Sequence, residues 1–186
     1  MSDRAAVTAS ITAAAVPVFA RYGFRRTGMD LIAQAAGVSR PALYQYFPNK
    51  TAVFEAVAEF VGGRLHADAE AAANRGATTA ERLYNVLAVK LDFAAGEVAA
   101  DHRGELVEEA ARIVPDTVAA AEARYARLVA AVLAEDPDLD RYPASETAAI
   151  LTDAMLGIAR STEPPDVMRE RLRRLVDLLV RGLRRS

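Results

Sequence analysis

The chain has no cysteine and no tryptophan among its 186 residues, and only two histidines, His66 and His102. The absence of cysteine excludes disulfides, thiolate metal sites and cysteine nucleophiles. The two histidines do not lie at a two-histidine metal spacing, and the sequence has neither a glycine-rich phosphate loop nor a GxSxG nucleophile motif. Acidic residues and serines are plentiful, but no pair lies at a spacing typical of catalysis. We therefore expect a protein that is not an enzyme and that needs no metal and no cofactor.

Long apolar runs are also missing. No stretch of 18 consecutive apolar residues occurs, and the N-terminal residues do not form a continuous apolar segment followed by a cleavage site. The sequence lacks the alternating β-branched stretches that are typical of strands, whereas alanine, leucine and valine abound. These patterns predict a soluble, cytoplasmic, all-α protein with no membrane partner.

Charge is distributed unevenly along the chain, although the net charge is only −2. Residues 1–50 contain six basic and two acidic residues, a net of +4, so the remaining 136 residues carry −6. A basic N-terminal segment followed by an acidic remainder is typical of a domain that binds a polyanion, joined to a domain that does not.

Residues 23–50, GFRRTGMDLIAQAAGVSRPALYQYFPNK, have the pattern of two short helices joined by a tight turn. Thr27 has the chemistry of an N-cap for the first helix, with Asp30 three positions later as an approximate capping box. Gly37 can take a positive φ and end that helix, and Ser39 can cap the second helix, which has Pro41 in its first turn. The first helix is expected to bury Leu31, Ile32, Ala35 and Ala36. The arrangement predicts a helix-turn-helix whose second helix enters the major groove of DNA.

The end of this segment, LYQYFPNK, combines a core pair with hydrogen-bonding side chains. Leu43 and Phe47 are four residues apart and share one helical face, so we expect both in the core. Pro48 ends the helix, and Asn49 can cap the next one, whose N-terminal end favours an anion. Phosphate oxygens are therefore the predicted ligands of Tyr44, Tyr46 and Lys50.

Residues 11–54 closely resemble the N-terminal DNA-binding domain of TetR-family transcriptional regulators. The resemblance rests on the aromatic residues that end the first helix, and on matches to the patterns I-A-x-x-A-G-V-S and L-Y-x-[YH]-F-x-x-K at residues 32–39 and 43–50. It implies a homodimeric regulator, usually a repressor that a small molecule releases from DNA. Two residues depart from the family pattern. Gly28 stands where Thr or Ser is usual, and Pro17 lies inside the first helix, which it should kink or loosen.

The residues expected to bind DNA fall into two groups. Arginine and glutamine can read guanine and adenine edges, and alanine can touch a thymine methyl group, so the groove is the predicted partner of Arg40, Pro41, Ala42 and Gln45. The other predicted DNA-binding residues, mainly phosphate contacts, are Thr27, Ser39, Tyr44, Tyr46 and Lys50.

Helix-breaking residues divide the rest of the chain into long helices. We expect them over about 49–74, from 78 or 79, from 101 to before 115, over 115–135, over 144–161 and over 166–185, with a loop at 136–143. The sequence thus predicts about nine helices in two domains. Residues 1–50 form a three-helix DNA-binding domain, and residues 51–186 form a larger effector-binding and dimerisation domain.

The last two helices carry apolar stripes that can pair. Ala154 and Gly157 permit close approach of the backbone, and the arginines of the last helix fall on a face expected to be solvated. Two such helices from each subunit would form a four-helix bundle, as the family resemblance implies, although both stripes can instead face the core of their own chain. Because a palindromic DNA site needs a two-fold protein, we predict a homodimer interface formed by Leu151, Met155, Ile158, Leu172, Leu175 and Leu179.

The central helices are expected to hold the effector, and Lys90 is their most unusual residue. Its neighbours at helical spacing are all apolar, and a lone buried ammonium would need a partner or a lowered pKa. The stem of Lys90 can cover the core while its head reaches water. Alternatively, Lys90 anchors an acidic effector or pairs with an internal acid such as Asp153. The candidate residues of the effector pocket are Tyr84, Lys90, Phe93, His102, Tyr125 and Met155.

Together these patterns predict a DNA-binding transcriptional regulator with three partners: a palindromic DNA operator, a second copy of the chain and an unidentified small molecule. An activator would carry the same motif as a repressor. The alternative is a helix-turn-helix architectural or adaptor protein whose C-terminal domain binds a protein partner and no small molecule.

Overall fold

The computed structural model describes residues 2–97 and 103–184, and the predicted all-α class is confirmed. This part of the chain forms nine α-helices and one 3-10 helix at Pro137–Leu139. The α-helices are α1 (Ser2–Arg26), α2 (Met29–Ala35), α3 (Arg40–Tyr46), α4 (Lys50–Ala73), α5 (Thr79–Glu97), α6 (Arg103–Ile113), α7 (Pro115–Ala134), α8 (Ala144–Ala159) and α9 (Pro165–Leu183).

The helices form two compact units that are not continuous in sequence. Unit 1 comprises residues 1–63 and 97–119, and unit 2 comprises residues 64–96 and 120–186. Helix α6 therefore belongs to unit 1 together with α1, α2 and α3, although it lies far beyond the predicted DNA-binding domain at residues 1–50. That shorter domain remains a prediction about function.

The core of unit 1 is built from α1, α2, α3 and the start of α4, with Val114 from the end of α6. Leu43 and Phe47 are buried in it, as predicted. The residues that α2 buries are Met29, Ile32 and Ala33, whereas Leu31 and Ala35 are exposed. The predicted burial is thus confirmed for Ile32, Ala36 is half-buried against the same core, and the prediction is wrong for Leu31 and Ala35.

Helix α1 changes direction at Gly23 and keeps its helical backbone at Pro17. Gly23 has φ 70° and ψ 172°, a combination that is open to glycine and closed to residues with a Cβ. Pro17 lies within α1, and the kink or loosening expected there stays a prediction. The glycine break turns Phe24 back, where its ring packs edge-on against Phe54 with a centroid distance of 5.0 Å.

Among the described helices, the segment Arg4–Arg26 is long and apolar enough to cross a membrane by length and composition alone. The same segment supplies Ile11, Ala15, Val16 and Phe19 to the core of unit 1. A buried core helix meets the same criteria as a membrane helix. We therefore assign α1 to the core.

The core of unit 2 lies between the end of α4 and helices α5, α7, α8 and α9. Leu83, Leu87 and Leu91 form the buried stripe of α5. Helices α8 and α9 pack against each other, and their inward faces include three residues that the sequence assigned to the dimer interface. These are Leu151, Met155 and Leu172, which have 0% exposure within a single chain. Their assignment to the dimer interface is corrected to the core.

Candidate nucleic-acid interface

Helices α2 and α3 form a helix-turn-helix around Gly37. This glycine has φ 66°, and the turn is closed by the Val38 N–H, which donates to the Ala33 carbonyl at 3.0 Å. The hydroxyl of Ser39 accepts from the Ala42 N–H at 3.2 Å, which confirms the predicted cap of α3. The two helices and their three- to four-residue connection have the arrangement that places the second helix in a DNA groove.

Thr27 does not cap α2. The N-cap residue is Gly28, which makes no side-chain capping bond, and the Thr27 hydroxyl instead donates to the Gly23 carbonyl at 2.7 Å. Thr27 is only 2% exposed. The predicted cap is therefore wrong. Since its proton is engaged and its side chain is buried, we leave Thr27 out of the proposed DNA contacts.

The surface of α3 presents most of the predicted DNA-binding residues. Arg40, Pro41, Tyr44 and Gln45 are exposed, and Ala42 and Tyr46 are half-buried. This division follows from the burial of Leu43 and Phe47, which occupy the opposite face of the short helix.

An arginine lies beside a tyrosine at the N-terminal end of α3. Arg40 pairs with Asp30 of α2 at 3.2 Å, and its guanidinium lies 5.8 Å from the centroid of the Tyr44 ring. A hydrogen bond with Tyr44 is the main cause that raises the pKa of Arg40 above its ordinary value, and the carboxylate of Asp30 adds to the effect. The pairing holds a charged, exposed guanidinium at the start of the helix.

A second arginine lies beside a tyrosine at the C-terminal end of α3. Arg4, in the first turns of α1, donates from Nη2 to the Gln45 carbonyl at 2.8 Å. Its guanidinium lies 5.2 Å from the centroid of the Tyr46 ring. Sequence reasoning missed Arg4 because 41 residues separate it from Gln45.

Lys50, predicted to bind phosphate, contacts the end of α1. Its Nζ donates to the carbonyl of Phe24 at 2.7 Å and lies 3.5 Å from the carbonyl of Arg25. The same ammonium is 4.2 Å from the centroid of the Phe24 ring, a cation–π distance. Lys50 is the first residue of α4, and the amide oxygen of Asn49 accepts from the Ala52 N–H at 2.9 Å, which confirms the predicted cap.

Helix α6 supplies a buried carboxylate to the same segment. Oε2 of Glu109 accepts from the Phe24 N–H at 3.0 Å, and Oε1 lies 3.2 Å from Nε of Arg25. The Oε1 contact with Arg25 is an ion pair and does not have hydrogen-bond geometry, since this oxygen has no hydrogen-bond partner in the structure. The Phe24–Arg25 backbone is thus held through its N–H by Glu109 and through its carbonyls by Lys50. No local sequence signal links Glu109 to a residue 85 positions away.

In unit 2, Lys90 has an acidic partner other than the one considered from sequence. Its ammonium lies 2.5 and 2.6 Å from the two carboxylate oxygens of Glu122 and 4.7 Å from the centroid of the Tyr125 ring. The Lys90 side chain is 13% exposed and that of Glu122 is 39% exposed, so the pair lies at the edge of the core. Asp153 is exposed, and its suggested pairing with Lys90 is wrong.

The other predicted pocket residues occupy different environments. Tyr125 and Met155 are buried in the core, and the Tyr125 hydroxyl donates to the Val86 carbonyl. Tyr84 and Phe93 are half-buried, and an arginine guanidinium lies over each ring. The guanidinium of Arg173 is 4.2 Å from the centroid of the Tyr84 ring, and that of Arg64 is 5.5 Å from the centroid of the Phe93 ring. His102 lies outside the described residues. The pocket stays a prediction.

Helices α8 and α9 also expose large apolar side chains. Leu178 is 72% exposed and Ile150 is 56% exposed. Three residues of the predicted dimer interface, Ile158, Leu175 and Leu179, are half-buried.

In the part of the chain that the structure describes, no three His, Asp or Glu residues are grouped so that they could hold a metal ion.

Comparison with known proteins identifies the N-terminal segment. Residues 11–57 match the family described as bacterial regulatory proteins, tetR family. The nucleoid occlusion factor SlmA of Haemophilus influenzae is 38% identical over 72 residues, which amount to 39% of this chain and 33% of SlmA. The match thus spans about a third of that relative.

Solved structures match nearly the whole chain at low identity. A TetR-family transcriptional regulator from Streptomyces coelicolor superimposes with a TM-score of 0.76 at 19% identity, over 95% of this chain and 89% of that one. The fatty acid degradation regulator FadR from Bacillus halodurans gives 0.72 at 20% identity, over 95% and 94%. These likenesses confirm the fold, and the family match confirms the resemblance that the sequence predicted.

Proposed function

From the match of residues 11–57 to the tetR family of bacterial regulatory proteins, we infer that the chain is a homodimeric repressor that a small-molecule effector releases from a palindromic operator. The observation that carries this proposal is the helix-turn-helix of α2 and α3, with Arg40, Tyr44 and Gln45 exposed on the second helix. Such a protein would act in the cytoplasm, where it has access to DNA.

The exposed residues of α3 divide by chemistry into two kinds of contact. Arg40 and Gln45 have the donors and acceptors that read base edges in the major groove, and Pro41 and Ala42 offer apolar contact. Ser39, Tyr44 and Tyr46 can donate to phosphate oxygens, which fixes the register on the duplex without reading sequence. Lys50 adds positive charge at the start of α4 while it holds the α1 carbonyls.

A second copy of the chain is the proposed occupant of the exposed apolar face of α8 and α9. A recognition helix of seven residues reads few base pairs, so specificity requires two such helices about 34–36 Å apart in successive grooves. An isologous interface would also remove Leu178 and Ile150 from water. The face consists of Ile150, Ala154, Gly157, Ile158, Leu175, Leu178 and Leu179.

The proposed effector site is centred on Lys90 and Glu122. Their ion pair lies at the edge of the unit 2 core, beside the Tyr125 ring. An acidic effector would take the place of the Glu122 carboxylate on the ammonium. Helix α4 contributes residues to both units, so it is the proposed path from effector to recognition helix. The coupling is reciprocal, since an effector that weakens operator binding must itself bind less well to the operator complex.

Selection from a randomised duplex library tests the proposal. The wild-type protein should enrich a site with two-fold symmetry, and Arg40→Ala and Gln45→Ala should each relax base preference at different positions of every half-site. A bidentate side chain–base contact contributes about 1–3 kcal/mol of discrimination. Pro143→Ala, in a loop of unit 2, is the matched control and should recover the wild-type site. A library that yields no enriched sequence would overturn the proposal.

The second candidate function is a DNA-bound adaptor whose C-terminal part binds a protein. The similarity of the DNA-binding segment to a nucleoid occlusion factor favours it. Thermal denaturation of the purified protein with metabolite mixtures separates the two candidates. A metabolite that raises the melting temperature and releases the selected duplex supports the repressor. If no metabolite raises the melting temperature and the protein still binds a specific duplex, the adaptor is favoured.

A further inference from the structure

The recognition helix α3 has an arginine–tyrosine pair at each end. At its N-terminal end Arg40 lies beside Tyr44, both on the helix itself. At its C-terminal end the tyrosine is Tyr46, and the arginine comes from the first turns of α1. Both arginines are exposed, and the two tyrosines are the ones whose hydroxyls are proposed to reach phosphates.

Arg4 satisfies a carbonyl that the helix leaves open. The last four carbonyls of an α-helix have no partner within it, and Gln45 is the next-to-last residue of α3. A cation at this end also interacts favourably with the negative end of the helix dipole. The bond from Arg4 Nη2 to the Gln45 carbonyl therefore ties α1 to the end of the recognition helix.

One bond to a carbonyl uses only part of the guanidinium. Arginine carries five N–H donors in a planar fork that matches a phosphate. Among the described residues, the contacts of the Arg4 guanidinium are the Gln45 carbonyl and the Tyr46 ring. The remaining donors are held at an exposed position beside Gln45, a residue proposed to face the groove.

We propose that Arg4 binds a DNA phosphate beside Tyr46, so that the C-terminal end of the recognition helix carries an arginine–tyrosine clamp on the DNA backbone. The inference rests on the proposed function, because it adds a contact to the same DNA-binding surface. Arg4 supplies affinity that does not depend on sequence, whereas Arg40 and Gln45 supply base preference.

The salt dependence of DNA binding tests this role. Removing one phosphate-binding cation lowers the slope of log affinity against log salt concentration by about 0.9, or by about 1.8 when both subunits of a dimer carry the substitution. Arg4→Gln should show this decrease, with the same fold-loss of affinity on the selected duplex and on a scrambled duplex of equal length. Arg4→Lys keeps the charge and should keep the slope. Arg21→Gln, on the same helix and also beside a tyrosine ring, should behave as wild type.

Ethylation interference identifies the contacted phosphate directly and requires only that the variant still binds the duplex. Alkylation of one phosphate in each half-site should weaken binding of the wild-type protein and leave binding of Arg4→Gln unaffected. An unchanged salt slope for Arg4→Gln, or an affinity loss confined to the selected duplex, would overturn the inference and leave the proposed function intact. A wild-type protein that selects no duplex would overturn both.

Discussion

The ammonium of Lys50 lies 2.7 Å from the carbonyl oxygen of Phe24 and 4.2 Å from the centroid of the Phe24 ring. One side chain at the start of α4 thus contacts both the backbone and the ring of the residue that follows the Gly23 break. This contact joins the end of α1 to the helix after the recognition helix. It gives Lys50 a structural role in addition to its proposed contribution to DNA binding.

Lys50→Met should destabilise unit 1. Methionine keeps an apolar stem but leaves the Phe24 carbonyl without its charged donor, and a hydrogen bond to a charged group contributes about 1.5–3 kcal/mol. Since Lys50 is only half-buried, we expect a loss of about 1 kcal/mol in the free energy of unfolding measured with urea. Arg21→Met removes an exposed charge from α1 and should leave the urea midpoint unchanged. Equal midpoints for Lys50→Met and wild type would contradict the structural role.

Substitutions at Glu109 should separate its hydrogen bond from its charge. Glu109→Gln keeps an oxygen acceptor for the Phe24 N–H, whereas Glu109→Leu leaves that buried donor unsatisfied at a cost of about 1–3 kcal/mol. Urea unfolding should therefore rank Glu109→Leu well below Glu109→Gln. The neighbouring residue Glu108 is exposed, so Glu108→Leu is the control and should be nearly neutral. If both Glu109 variants lost the same stability, the ion pair with Arg25 would be the dominant contact.

Leu178→Glu should produce a folded monomer. Leu178 is 72% exposed in a single chain, so a charge there costs little in the monomer but would be buried in the proposed interface. Light scattering at micromolar concentration should give the dimer mass for wild type and half that mass for the variant. Phe60→Glu makes the same change at an exposed apolar residue of unit 1 and should remain dimeric. A monomeric wild-type protein would refute the prediction.

Lys90→Met should uncouple the protein from an acidic effector. The variant keeps the apolar stem and removes the ammonium that Glu122 binds, so operator affinity should stay near wild type while release by the effector is abolished. Glu122→Gln removes the competing carboxylate and should lower the effector concentration needed for release. Both effects can be followed by fluorescence anisotropy of the selected duplex with the stabilising metabolite. A full response by Lys90→Met would place the effector elsewhere.

Tyr125 should make stability depend on pH in the alkaline range. Burial raises the pKa of its phenol above the ordinary value of 10.0, and the charge of Glu122 acts in the same direction. Because the folded-state pKa exceeds the unfolded one, this contribution is complete below about pH 10 and is lost as pH rises toward the folded-state pKa. Urea unfolding at about pH 8 and about pH 11 should show a smaller loss for Tyr125→Phe than for wild type. Tyr142→Phe, at an exposed tyrosine, should lose as much as wild type.

Local sequence signals predicted the caps of two helices correctly and a third wrongly. Ser39 and Asn49 each stand three residues before the N–H that they accept, as a cap requires. Thr27 is one residue too early, because α2 begins at Met29, and the positive φ of Gly23 brings a backbone carbonyl within reach of its hydroxyl. Helix α2 buries Met29 and Ala33 in place of Leu31 and Ala35, and each buried residue lies two positions before the one expected.

Contacts between distant residues lay beyond prediction. The periodicity of α8 and α9 showed that apolar stripes exist, but it could not decide which stripe faces the core and which faces a partner. Residues Leu151 and Leu172 proved to be core, while Ile150 and Leu178 are exposed. Arg4 contacts Gln45 of α3 from 41 residues away, and Glu109 contacts Phe24 at the end of α1 from 85 residues away. Neither residue belongs to a local motif.

Unit 1 consists of two segments of the chain that are synthesised one after the other, with part of unit 2 between them. Domains fold as units while the chain emerges from the ribosome, and α6 and Val114 complete the core that residues 1–63 begin. When α3 has just emerged from the ribosome, the nascent chain therefore still lacks the Glu109 carboxylate that accepts from the Phe24 N–H. About 60 further residues must be translated before that carboxylate arrives, which takes roughly 3–13 s at about 5–20 residues per second. We therefore expect unit 1 to complete its core only after α4 and α5 have been synthesised.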